Sequence, residues 1–124
     1  MNKRIRKKRG IYTKFKDSET WGLYIVIAQF VLPRLKRFKK LNNGVPMSLC
    51  FHGNDVHRQG RVAKEWDAIL DKMIWSFEQI VDDSDPEKLE NETNEEYVDR
   101  CRMWSNNVQH GLELFAKYFL DLWW

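Results

Sequence analysis

The chain has 124 residues, one domain's worth, and 43% of them are apolar, a composition that excludes intrinsic disorder. Six Trp, seven Phe and four Tyr give a small domain large rings to bury. The net charge of +3 conceals a polarity: residues 1–16 hold eight Lys and Arg and no acid, residues 17–61 hold seven bases and three acids, and the last 63 residues hold six bases against fifteen acids. Either the basic half seeks an anionic partner, or the acidic half neutralises it within the fold or in a neighbouring subunit.

Residues 1–16 read as a basic flexible arm, with Lys3, Arg4, Arg6, Lys7, Lys8 and Arg9 suited to phosphates. Residues 17–124 read as a single helical domain. Its first helix is expected over about 18–41, capped by Asp17 or Ser18, with an apolar stripe Tyr24, Ala28, Val31, Leu35 and Phe38. The apolar run Trp21–Leu32, broken only by Gln29, is far short of the roughly 20 residues needed to span a bilayer, so no membrane partner is expected. Pro33 removes the bond to the carbonyl of Gln29 and predicts either two helical pieces or one kinked helix.

Residues 42–61, "NNGVPMSLCFHGNDVHRQGR", are punctuated by Gly44, Pro46, Gly53 and Gly60 and read as a long irregular loop. The second helix is expected over about 62–81, with Trp66, Ile69, Leu70, Met73, Phe77 and Ile80 on one face. Trp75 lies about 200° around from Met73 and should point away from the core, as a partner contact. An acidic linker follows, and a capping box, Thr93-x-x-Glu96, opens a third helix over about 94–122. Its stripe is Tyr97, Cys101, Trp104, Val108, Gly111, Phe115, Tyr118 and Leu122, with Gly111 placed for close backbone approach. The C-terminal Trp123 and Trp124 should be docked or in an interface. The fold class is therefore all-α, a small bundle of three principal helices with one long loop. The surplus of apolar positions points to a homo-oligomer.

Catalytic signatures are missing: there is no GxSxG, no phosphate-binding glycine loop and no HExxH. The chain reads as a non-enzyme that needs no cofactor. Cys50, His52, Asp55 and His57 carry zinc-type ligands in the loop, but their spacing matches no standard zinc pattern and no metal is expected. Cys101 reads as a buried free thiol. No apolar segment follows the basic N-terminus, so no secretory signal is expected and the chain is placed in a reducing cytoplasm. The strongest functional signal is "PRLKRFKK". Arg and Lys bind phosphates and neighbouring rings stack on bases, which makes Trp21, Arg34, Lys36, Arg37, Lys40 and Trp75 the candidate ligand-binding set.

The blocks "DSETWGLYIVIAQFVLPRLKRFK", "EWDAILDKMIWSFE" and "GLELFAKYFLDLWW" together resemble a group of small bacteriophage proteins with no settled activity. The likeness covers most of residues 9–41, 65–81 and 111–124, and Val45–Lys64 looks like an addition. The resemblance implies a phage product acting in the cytoplasm of an infected bacterium. It carries over no catalytic residues. In that setting three readings stand. The first is a sponge that sequesters an anionic ligand, a nucleotide-type immune signal. The second is a nucleic-acid-binding protein using the arm and Arg34–Lys40. The third is a protein-binding inhibitor or virion assembly component with Trp75, Trp123 and Trp124 in its interface.

Overall fold

The computed structural model describes residues 14–42, 44–50 and 56–123, with the side chains of residues 50 and 56–59 outside that description. These residues form five α-helices, which we number α1 (Ser18–Trp21), α2 (Leu23–Leu41), α3 (Met47–Cys50), α4 (Val56–Asp82) and α5 (Asn94–Lys117). A 3-10 turn, Phe119–Asp121, closes the chain. The all-α class and the three long packed helices agree with the sequence.

The expected first helix is divided at Gly22, whose backbone (φ −120°, ψ 54°) leaves the helical region. Asp17 makes no side-chain cap. The entry turn is held instead by Lys16 N–H donating to Glu19 Oε2 at 2.7 Å and by Thr20 Oγ1 donating to the Asp17 carbonyl at 2.6 Å. Pro33 sits inside α2 without ending it. The missing N–H costs the one ladder bond to the Gln29 carbonyl; one residue on, the Arg34 guanidinium donates to the Phe30 carbonyl at 2.9 Å.

The long loop is shorter than expected. Met47–Cys50 is helical, and α4 starts at Val56, running through Gly60. Gly60 costs roughly 1 kcal/mol in a helix interior. Burial of Val62 and Trp66 in the turns that follow favours continuing the helix.

The core is built on α4. Leu70 and Met73 are fully buried, with Trp66, Phe77, Ala28, Leu35 and Tyr118 around them. Rings pack edge to face, Trp66 on Tyr118 at 5.4 Å and Phe77 on Phe115 at 5.0 Å. Both neighbours run antiparallel to α4. Lys36 meets Glu78 while Lys39 meets Asp71, and Trp104 meets Gln79 while Tyr118 meets Trp66. The backbones of α2 and α5 each pack on α4 but do not approach one another.

Tyr24, expected on the core stripe, is exposed. The cause is length. Extending the antiparallel register of Lys36 and Lys39 carries Tyr24 past Asp82, where α4 ends. The first turns of α2 overhang the bundle.

The third helix keeps its capping box, with Glu96 N–H donating to Thr93 Oγ1 at 3.2 Å and Thr93 N–H donating to Glu96 Oε2 at 3.4 Å. It stops at Lys117, five residues before the expected end, because the chain turns at Tyr118 and tightens into the 3-10 segment. Leu122 still packs against the core. Cys101 is a free thiol, half-buried.

The acidic linker is tied down. Arg100 grips the Glu92 carboxylate with two donors, at 2.5 and 2.9 Å, and donates to the Glu87 carbonyl at 2.7 Å; Tyr97 Oη donates to the Pro86 carbonyl at 3.2 Å. Asp83 (φ 51°) takes the left-handed conformation that ends α4, and Ser84 N–H donates back to the Gln79 carbonyl at 3.1 Å.

Gly111 is where α5 meets α4 most closely. A Cβ there would lie 1.8 Å from Ser76 Oγ and 2.5 Å from the Lys72 carbonyl oxygen. Gly111→Ala should therefore destabilise the protein by about 2 kcal/mol in denaturant unfolding, despite the better helix propensity of alanine. Arg100 holds the Glu92 carboxyl below the ordinary glutamate range, chiefly through its hydrogen bonds. Stability from a depressed carboxylate is present above the unfolded-state value and lost as pH falls through the folded-state value. Glu92→Gln should thus lower stability at neutral pH, and the gap from wild type should close as unfolding is measured at progressively more acidic pH.

Candidate functional site

Because α2 and α5 flank α4 without meeting, a groove of about 530 Å³ lies between them at their C-terminal ends. Val31, Leu35, Phe38 and Leu41 of α2 face Phe115, Leu122 and Trp123 across it. Phe30, Arg34 and Arg37 complete its α2 side. The sequence places them there. Phe30, Arg34, Arg37 and Leu41 recur at helical spacing on a face beside the core stripe.

Arg34 is already positioned. Its guanidinium carbon sits 3.8 Å from the centroid of the Phe30 ring, and one N–H is used on the Phe30 carbonyl. These two contacts restrict the planar fork, so its remaining donors cost less ordering when a ligand uses them. Arg37 lies one turn on, lining the same groove. The lining offers apolar area, aromatic faces and two permanent positive charges. That combination suits a ligand carrying an anionic group and a flat apolar body.

The candidate set read from sequence is divided by the fold. Arg34 and Arg37 come together in the groove. Lys36 turns to the other side of α2 and pairs with Glu78 at 3.2 Å, and Lys39 pairs with Asp71 at 2.5 Å. Part of the basic segment is thus neutralised by the acidic half of the same chain. Lys40 is exposed. Trp21 belongs to α1, beyond the break at Gly22, and does not line the groove. Trp75 is 37% exposed and lies off the core, as expected, but in a separate depression with Asp71, Lys72, Asn107 and His110. Trp21 and Trp75 therefore do not join the two arginines within one chain. The ring at the groove is Trp123, which was expected only as an interface residue, together with Phe30, Phe38 and Phe115. Phe38 and Phe115 were visible only as core-stripe residues; their second role needed the gap between α2 and α5.

A second cavity of about 470 Å³ shares Trp123 as a wall, with Asn42, Gly44 to Met47, Trp66 and Asp121 around it. Among the described residues, the buried Trp66 indole N–H has no hydrogen-bond partner. The arm residues Lys3, Arg4, Arg6, Lys7, Lys8 and Arg9, the loop residues His52 and Asp55, and Trp124 lie outside the described residues, as do the side chains of Cys50 and His57. Among the described residues no three His, Cys, Asp or Glu side chains are grouped to hold a metal ion, and no helix is long and apolar enough to cross a membrane.

Compared with family models, curated proteins and solved structures, the chain has no match. The class the coordinates define is a three-helix bundle with an open, arginine-rimmed groove.

The Lys36–Glu78 and Lys39–Asp71 pairs are substantially exposed and solvent-screened. Replacing both lysines with alanine should lower stability by no more than about 1 kcal/mol in denaturant unfolding.

Proposed function

We propose that this is a non-catalytic binding protein that sequesters an anionic, ring-bearing small molecule of the nucleotide type in the groove between α2 and α5. The observation that carries the reading is the placement of Arg34 and Arg37 on the rim of an aromatic-lined apolar groove. A nucleotide presents the two halves such a groove accommodates: phosphates for the guanidiniums and a flat base for Phe30, Phe38 or Trp123. Lys36 takes no part, since its ammonium is committed to Glu78.

The resemblance to small phage proteins supplies the setting. A homo-oligomer made in the cytoplasm of an infected bacterium would remove a nucleotide immune signal by binding it, without turning it over. Removal by binding demands tight, stoichiometric capture, and an arginine already held against Phe30, as Arg34 is, lowers the entropic cost of that capture.

The test is thermal unfolding of the full chain with cyclic dinucleotides and linear mono- and dinucleotides, with native mass spectrometry to read stoichiometry. A ligand at 100 times its Kd adds about 2.7 kcal/mol to folding stability. We expect at least one nucleotide to raise Tm. Arg37→Ala should weaken that nucleotide at least about tenfold, a loss of roughly 1.4 kcal/mol, and Lys36→Ala should leave affinity unchanged. The reading fails if no nucleotide shifts Tm.

A further inference from the structure

Beside the groove, the second cavity of about 470 Å³ is walled by groups whose hydrogen-bonding capacity the fold leaves unspent. Trp66 is 2% exposed; its ring packs edge to face on Tyr118 and also lines this cavity. Its indole N–H meets no acceptor among the described residues. A donor sealed from water without an acceptor carries its desolvation penalty in full, so an acceptor delivered through the cavity restores a bond that folding gave up. Asp121, on the 3-10 turn, brings a carboxylate to the same cavity, and among the described residues it pairs with no cation. The Asn42 amide is already engaged: Nδ2 donates to the Gly44 carbonyl at 2.8 Å, and Oδ1 accepts from the Gly44 N–H at 3.1 Å.

The two unspent groups select the ligand. A bare ammonium satisfies Asp121 but offers Trp66 no acceptor. A bare anion offers Trp66 an acceptor but is repelled by Asp121. A neutral edge that carries both an acceptor and an N–H donor satisfies the pair. Behind that edge Val45, Pro46 and Met47 present apolar surface and Trp123 presents a ring, which suits a flat body. An amino-bearing nucleobase is built this way: ring nitrogens or a carbonyl that accept, an exocyclic amino group that donates, and faces that stack.

Charge also sorts the two halves of a nucleotide. Trp123 is a wall of both spaces, whereas Arg34 and Arg37 line the groove and Asp121 lines the cavity. A nucleotide laid against Trp123 is therefore favoured in one direction, phosphate toward the arginines and base edge toward Asp121.

We infer that the cavity bounded by Trp66, Asp121 and Trp123 is a base-reading site, in which an amino-bearing nucleobase accepts from the Trp66 N–H and donates its amino group to Asp121. The cavity thereby deepens the nucleotide reading, on which the choice of ligand rests, with residues that the groove, apart from Trp123, does not use.

The test follows the indole N–H resonances of the full-length, nitrogen-15-labelled chain by NMR as adenosine, guanosine, cytidine and their monophosphates are added. Trp66→Phe identifies the Trp66 signal by its loss. At least one nucleoside should move that signal. Asp121→Ala, a change on a turn outside the buried core, should weaken the same nucleoside about tenfold or more, as loss of a hydrogen bond to a charged group does. Trp66→Phe keeps a ring in the core, removes the donor and should weaken it severalfold, with circular dichroism as the control for folding. Nucleosides and monophosphates that all leave the Trp66 resonance in place would overturn the base site and leave the N–H to an internal water. Wild-type affinity in Asp121→Ala would overturn it as well. A nucleotide that raises Tm while the Trp66 signal stays put removes the base site and spares the groove. Nucleosides that move the signal while no nucleotide raises Tm remove the groove reading and spare the cavity.

Discussion

The bundle depends on one close approach, that of α5 to α4 at Gly111. With no Cβ, the backbone of α5 settles against Ser76 and the Lys72 carbonyl of α4. Ser76, fully buried there, donates to the Asn107 carbonyl. Such proximity fixes where everything downstream on α5 must fall: Phe115 reaches Phe77, and Tyr118 reaches Trp66. The hydroxyl of Ser76 is small enough to fit and finds an acceptor, so a polar group at the centre of the core costs little. A larger residue at either position would lever α5 away from α4, and the ring contacts near its C-terminal end would move most.

That contact also explains why the groove exists. With α5 drawn tightly onto one side of α4 and α2 held on another by Ala28 and Leu35, the two outer helices diverge from a shared centre. Large rings on their facing edges cannot close the gap, and the 3-10 turn brings Trp123 to its far wall. The groove is thus a consequence of two good packings on one helix. Arg34 rims it one turn after Phe30, held there by a hydrogen bond to the Phe30 carbonyl and by stacking on the Phe30 ring.

Periodicity made the three long helices, their core faces and the role of Gly111 legible from sequence, because each of those depends on spacing within one element. The capping box at Thr93 was legible for the same reason. What sequence concealed was relative length and register. Tyr24 has the spacing of a core residue, yet α4 ends too early to cover it. Trp21, Arg34 and Trp75 sit close in composition and motif logic, yet the fold sends them to three different surfaces, since Trp75 faces the α5 side of α4 near His110. The end of the third helix at Lys117 was also hidden, because the apolar stripe continues unbroken through the turn. Leu122 keeps its packing role without being helical.

The division of charge along the chain resolves into two uses of the same basic segment. On the α4 side of α2, Lys36 and Lys39 meet acids of the second helix, and these pairs align the helices more than they stabilise them. On the other side Arg34 and Arg37 face open space over aromatic surface. The choice of residue type follows the geometry. Lysine, a flexible point charge, serves the exposed cross-helix pairs. Arginine, planar and able to stack while donating in a fixed plane, occupies the groove where direction matters. An acidic half that only neutralised the basic half would be expected to cover all of these positions. Among the described residues it covers Lys36 and Lys39 and leaves Lys40 and the two guanidiniums, and that uneven coverage is what favours the proposed reading of the groove as an anion site.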